Sequence, residues 1–298
     1  MNIFHARCLS ILALGGGIFV APQTARADWT AGNNMLEATA EMSGAALAII
    51  EKNPRMGFAN GICLFGGRIQ SGKSTGWTRS LTMGKNYVFV AGGDKNALDV
   101  DLTIKDSTGK VVAKDDDNQA VAAVTFAPQT TGTYNVTVTL HDSKKSQPAF
   151  ASMAFLQEGG SKVSTDNLAT ALANNFALAE ALNSEFAGKI KLFFNDRANQ
   201  WALFGSILNP GEERSFNKLR FSTGTGVFVA AGDNNTSDVD LFLLNDSNKI
   251  LAKDDDGDGK SIFEADTVEG ESYSIKIKNT KAKSSSFVIA MSLKAIPK

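Results

Sequence analysis

The segment DVDLTI, residues 99–104, alternates strictly. Val100, Leu102 and Ile104 fall on one face, and Asp99, Asp101 and Thr103 fall on the other. A two-residue period is the pattern of a half-buried β-strand. The turn residues DSTGK follow, so KVVAK (110–114) is predicted to pair back as the second strand of a hairpin. NYVFVAGG (86–93), GTYNVTVTL (132–140) and FASMAFL (150–156) add β-branched and aromatic runs bounded by turn residues. The period changes elsewhere. Residues 33–53 place Met35, Met42, Ala46 and Ile49 on one helical face, and residues 164–189 do the same with Leu168, Leu172, Phe176, Ala179, Leu182 and Phe186. Ser164 or Thr165 is placed to cap the second helix and Gly188 to end it.

The strand pattern is written twice. DVDLTIKDSTGKVVAKDDD (99–117) returns as DVDLFLLNDSNKILAKDDD (238–256), an offset of 139 positions. The same offset carries Phe65-Gly66 onto Phe204-Gly205, Val90 onto Val229, Asp94 onto Asp233 and Tyr134 onto Tyr273. A period this long means a domain copied in tandem rather than a solenoid repeat. Seven or eight short strands per copy, with turns about every ten residues, describe a β-sandwich. The expected fold is mainly β: two tandem jelly-roll-like β-sandwiches, each preceded by an amphipathic α-helix. Residues 28–159 form the first unit and 160–298 the second, with QEGGSKVS (157–164) as the linker.

Residues 1–27 read differently. His5 and Arg7 open the chain, an apolar run spans Leu9 to Val20, and Ala25-Arg26-Ala27 offers a small-x-small cleavage site. That is the layout of a secretory signal peptide. No later run reaches the roughly 20 apolar residues of a transmembrane helix. Removing the leader moves the formal net charge from −1 to −3 and leaves Cys63 and His141 as the single cysteine and histidine. No basic excess points to nucleic acid, and an exported chain with one cysteine has no internal disulfide.

The two acid-rich hairpins, with TGTYNVTVTL and GESYSIKIKN, resemble the bacterial pre-peptidase C-terminal domain. In that family an Asp-x-Asp-Leu strand, a turn, a second strand and a Gly-Thr-Tyr strand recur in this order. The resemblance covers about residues 62–157 and 201–294. It implies a jelly-roll-like sandwich of the kind appended to secreted peptidases, some relatives of which bind calcium or a matrix polymer. The chain departs from the family in three ways: no peptidase domain accompanies the sandwiches, a helix precedes each one, and Glu271-Ser272 replaces Gly-Thr before Tyr273.

Candidate chemistry is sparse. GRIQSGKS (67–74) matches the phosphate-cradling G-x-x-x-x-G-K-S motif. That motif needs a helix after it, and Gly76 and Gly84 interrupt the sequence that follows. The second copy keeps none of it, so no nucleotide is expected. A nucleophile needs a base within reach. His141 is the one histidine, in what reads as a polar loop, and Cys63 sits among apolar residues. Zinc has too few ligands. The doubled acids remain: Asp99, Asp101, Asp115 and Asp117 in one copy; Asp238, Asp240, Asp254, Asp256 and Asp258 in the other. If they converge at the hairpin, their repulsion calls for a cation, and Ca2+ suits irregular carboxylate loops. The competing reading is solvated turn acids balanced by Lys110, Lys114, Lys249 and Lys253. The functional expectation is an exported, periplasmic or secreted, non-enzymatic protein. It would bind an envelope or extracellular macromolecule, protein or polysaccharide, with any calcium structural. The alternatives are an accessory subunit of a separately encoded enzyme and, more remotely, a hydrolase.

Overall fold

The computed structural model describes residues 29–186, 188–195 and 200–297. The signal-peptide expectation for residues 1–27 lies outside these. The first repeat runs α1 (Thr30–Lys52), β1 (Met56–Phe58), β2 (Ile62–Ile69), β3 (Lys73–Leu81), β4 (Tyr87–Gly93), β5 (Ala97–Lys105), β6 (Val111–Asp115), β7 (Val121–Phe126), β8 (Gly132–Ser143) and β9 (Ala149–Glu158). The second runs α2 (Thr165–Glu185), β10 (Ile190–Phe194), β11 (Leu203–Leu208), β12 (Glu213–Leu219), β13 (Gly224–Gly232), β14 (Thr236–Asn245), β15 (Ile250–Asp254), β16 (Lys260–Thr267), β17 (Tyr273–Ala282) and β18 (Ser286–Pro297).

The architecture is mainly β and layered as a sandwich. Each repeat contributes one separate four-stranded sheet, ordered β3-β8-β5-β6 in the first and β12-β17-β14-β15 in the second. The remaining strands join into a single ten-stranded sheet, ordered β16-β13-β18-β11-β2-β9-β4-β7, with β1 added on β9 and β10 on β18. The join is the antiparallel β2–β11 pair, in which Phe65 faces Phe204, Leu64 faces Gly205 and Gly66 faces Leu203. Phe65 and Phe204 are repeat counterparts, so the two copies meet as an isologous pair around a local two-fold axis. Two units with separate sheets were the expectation; in the fold the copies share one.

The helices cover the other face of the shared sheet. α1 packs on β4 and β9, α2 on β13 and β18, and the helices touch each other. This explains why β4 and β9 read as continuous apolar runs: both of their faces are covered, so nearly every position is buried. A Cβ at Gly92 would stand 2.6 Å from the Met42 amide nitrogen, so glycine is what lets α1 approach β4. α2 is anchored differently, by Asn175 Nδ2 donating to the Ala231 carbonyl at 3.1 Å and Asn174 Nδ2 to that of Gly232 at 2.8 Å.

The second helix starts where expected, with the Ser164 side chain accepting from the Asn167 amide. It ends at Phe186, before Gly188. The first begins three residues earlier than expected, after Trp29, and no side chain caps it. Gln157 and Glu158 belong to β9, so the linker starts at Gly159; Ser161 then bridges to Phe58 of β1. His141 lies within β8 rather than in a loop.

Candidate functional site

The repeated acids hold their hairpins by two different means. In the β5–β6 register Asp115 faces Leu102, and in β14–β15 Asp254 faces Leu241. Both carboxylates therefore turn toward the next strand rather than toward Asp101 or Asp240. Asp115 accepts from the Ala123 amide at 2.7 Å, and Asp254 accepts from that of Ile262 at 2.7 Å. The second oxygen of each takes the amide two residues on, Asp117 in one copy and Asp256 in the other. The middle acids of the two triplets pair with lysines, Asp116 with Lys114 and Asp255 with Lys253. Asp258 accepts from the Lys260 amide at 2.8 Å. This is Asx-type loop locking, shared by Asp115 and Asp254 and extended by Asp258, whose counterpart is Gln119.

The strand acids are held less completely. Asp101 faces His141 at 3.4 Å, and that histidine is 66% exposed. Asp240 accepts from the Thr280 hydroxyl at 2.6 Å and lies 3.5 Å from Lys278 Nζ. A register shift beside Asp99 turns its side chain inward, to 7% exposure. Its Oδ1 and that of Asp238 are buried without a hydrogen-bond partner. Burial, then the neighbouring Asp99, pushes Asp101 above the ordinary carboxylate range; burial, then Asp240, does the same to Asp238. Asp254 is also raised by burial, against the lowering effect of its two amides.

Whether this set fits a calcium ion is decided by convergence. Among the described residues no three Asp, Glu, His or Cys side chains gather at metal-binding spacing. Asp115, Asp254 and Asp258 are spent on amides, Asp101 on His141, and Asp240 on Thr280 and Lys278. Asp117 and Asp256 close the triplets as loop residues, and the orphan oxygens of Asp99 and Asp238 lie in separate repeats. Strand and loop acids do approach one another, Asp116 acting on Asp101 and Asp258 on both Asp238 and Asp254, but not at ligating spacing.

A prediction follows from the raised acids. The folded pKa of Asp238 lies above its unfolded value, so the penalty is absent at low pH and grows as pH rises through the folded value. Asp238→Asn is therefore expected to raise the melting temperature at pH 7 by about 1–3 °C, after discounting for screening near the surface. The gain should vanish as pH falls toward 4. The same melts with millimolar calcium and with chelator are expected to coincide; a calcium-dependent rise that Asp238→Asn removes would restore the ion reading.

The remaining sequence candidates are structural. GRIQSGKS spans the β2–β3 hairpin, so a strand follows it and no helix N-terminus is offered to a phosphate. Cys63 is buried, donates to the Gly205 carbonyl at 3.8 Å, and burial pushes its thiol up to about 12. Asp94 and Asp233, used above only to align the repeats, are buried locks. Each accepts the amide two residues on with one oxygen, and with the other the amide of Phe150 or Phe287. Tyr273 survives the loss of Gly-Thr because Glu271 accepts its hydroxyl proton and the Val268 amide donates to it.

The site that the sequence concealed is a cleft of about 530 Å³ at the junction of the two repeats. Arg68 comes from the end of β2 and Asn34 from the first turns of α1. Asn96 comes from the β4–β5 turn and Gln147 from the approach to β9. The apolar part is Phe150 of β9 with Phe193 and Phe194 of β10, a strand of the second repeat. Phe150 and Phe194 touch with ring centroids 4.8 Å apart. Asn34 Oδ1 is buried without a partner, and no described residue bonds the side chain of Arg68, Asn96 or Gln147. Lys95, beside Asn96, is already committed to Glu37 at 3.1 Å. One signal was available: the repeat counterpart of Arg68, 139 positions on, is Ile207. A charge stands where the other copy keeps an apolar residue.

No protein-family model matches the sequence, and none of the curated proteins does. The solved structures to which the chain is similar are distant. A periplasmic inhibitor of g-type lysozyme from Aeromonas hydrophila is 12% identical at a TM-score of 0.24, over 32% of this chain and 87% of that one. The M60 catalytic domain with two CBM51 domains of Clostridium perfringens ZmpB is 11% identical at 0.24. That match covers 78% of this chain and about a third, 34%, of the other. The CBM22 tandem of Paenibacillus barcinonensis Xyn10C is 10% identical at 0.22, over 80% and 99%. No described helix is long and apolar enough to cross a membrane.

Proposed function

We propose that this chain is an exported, non-enzymatic binding protein built of two jelly-roll-like modules of the pre-peptidase C-terminal kind, acting on an envelope or extracellular macromolecule. The observation that carries the reading is the inter-repeat cleft. Asn34 Oδ1 is buried without a partner, and the side chains of Asn96 and the exposed Arg68 and Gln147 bond no described residue, beside three phenylalanine rings. Recognition sites combine an apolar wall with a few convergent polar groups in this way. The single histidine of the described chain faces an aspartate with no nucleophile between them, and the single cysteine is buried, which supports binding over catalysis. The acid hairpins are locked through backbone amides and lysines.

The test is co-sedimentation of the purified chain with insoluble polymers, namely isolated peptidoglycan sacculi and a cross-linked polyuronate gel. Wild type is expected in the pellet with one of them, and the Arg68→Gln, Phe193→Ala double variant in the supernatant. A chain that ignores both polymers, yet purifies from its source in fixed ratio with one envelope enzyme, is the accessory subunit instead.

A further inference from the structure

The chemistry of the cleft narrows the ligand. Arg68 presents a planar fork of donors with no carboxylate to meet it among the described residues. Exposed at the rim beside the phenylalanines, that fork matches a carboxylate in bidentate fashion. The first turn of α1 carries no capping side-chain hydrogen bond and no acid, so the helix dipole adds positive potential beside Thr30 and Asn34. Asn34, Asn96 and Gln147 are carboxamides, each able to give and accept at once. Three such groups around one opening suit a ring bearing several neighbouring hydroxyls. A face of C–H groups on the same molecule has Phe193 and Phe150 to lie against. A cavity of about 530 Å³ falls within the usual range for small-ligand sites and accommodates roughly one or two sugar rings.

We infer that the cleft between the repeats binds an acidic saccharide, its carboxylate on Arg68, its hydroxyls on Asn34, Asn96 and Gln147, and its apolar face on Phe193. The inference rests on the binding reading above and adds the ligand class. Duplication supplies the site: β10 of the second copy closes a wall that the first copy lacks, and Ile207 removes the charge at the symmetric position.

The experiment is calorimetric titration of the full chain with digalacturonic acid, its dimethyl ester, and the tripeptide acetyl-Ala-Ala-Ala with a free carboxylate. Digalacturonic acid is expected to bind, the ester at least tenfold more weakly, and the tripeptide not at all. Arg68→Gln should weaken the acid tenfold or more without lowering the melting temperature, and weaken the ester by a much smaller factor. Phe193→Ala should weaken acid and ester alike. Equal binding of acid and ester, both lost in Phe193→Ala, would overturn the acidic class while leaving a saccharide cleft. Binding of the tripeptide alone would overturn the saccharide and keep a carboxylate site. If no probe binds while the chain still sediments with a polymer, the cleft assignment falls and the general binding reading stands.

Discussion

Trp29→Ala is expected to destabilise the protein by about 3–5 kcal/mol, the range for emptying a large buried aromatic site. For a chain of this size that lowers the melting temperature by roughly 10 °C. Trp29 is 3% exposed, and its Nε1 donates to the Leu192 carbonyl, 163 positions away, at 2.9 Å. Its ring lies 5.6 Å from both Phe176 of α2 and Phe194 of β10. A side chain of the first repeat is thus anchored in the second. A Cβ at Gly32 would fall 2.0 Å from the indole, so α1 keeps a glycine one turn on to make room. Trp29→Phe should recover most of the packing and lose mainly the hydrogen bond, about 1 kcal/mol. A loss under 1 kcal/mol in the alanine variant, read by thermal or denaturant melts, would show that the repeats do not depend on this contact. Because Phe194 also lines the cleft, the same variant should weaken ligand binding through its wall.

Much of this fold was legible because its local signals agree with its global arrangement. The two-residue alternation placed β5 and β14, the turn residues placed their hairpin partners, and Ser164 marked the start of α2. The 139-residue offset revealed the duplication. What the repeat could not reveal was the seam, because strand pairing between copies leaves no period of its own. Phe65-Gly66 and Phe204-Gly205 were recognised as counterparts, but not as partners. The acids were legible as a repeat, but the groups they bond were not. Asp-x-Asp and a following triplet look convergent on paper, yet the β5–β6 register sets Asp115 against Leu102 and spends its oxygens on amides. The cleft was hidden for a related reason: its residues come from α1, β2, a turn, the entry to β9 and β10, and no spacing rule joins them. Only the substitution of Arg68 for the apolar residue of the other copy marked one member of the set.

Gly66→Val combined with Gly205→Val is expected to separate the two repeats energetically. In the β2–β11 pair each glycine faces a leucine of the other copy, Gly66 opposite Leu203 and Gly205 opposite Leu64. A Cβ at Gly66 would lie 2.9 Å from Leu203 Cδ2 and 2.7 Å from Phe150 Cε1. At Gly205 it would lie 2.9 Å from Leu64 Cβ and 2.8 Å from Phe287 Cε1. Each clash involves core side chains on both sides, so the strands must part rather than a flexible tip yield. Overpacking of this kind costs typically 1–3 kcal/mol per site. The sites are two-fold mates within one strand pair, so their effects should couple rather than simply add. Wild type shares a ten-stranded sheet and should melt in one calorimetric transition; the double variant should show two, one per repeat. Gly257→Val, at a position with nothing within 4 Å, is the neutral control. A double variant that melts as wild type does would mean the seam is slack, and with it the rigid inter-repeat wall on which the cleft depends. A variant with two transitions and a lost cleft would show instead that the site exists only because one sheet runs through both copies.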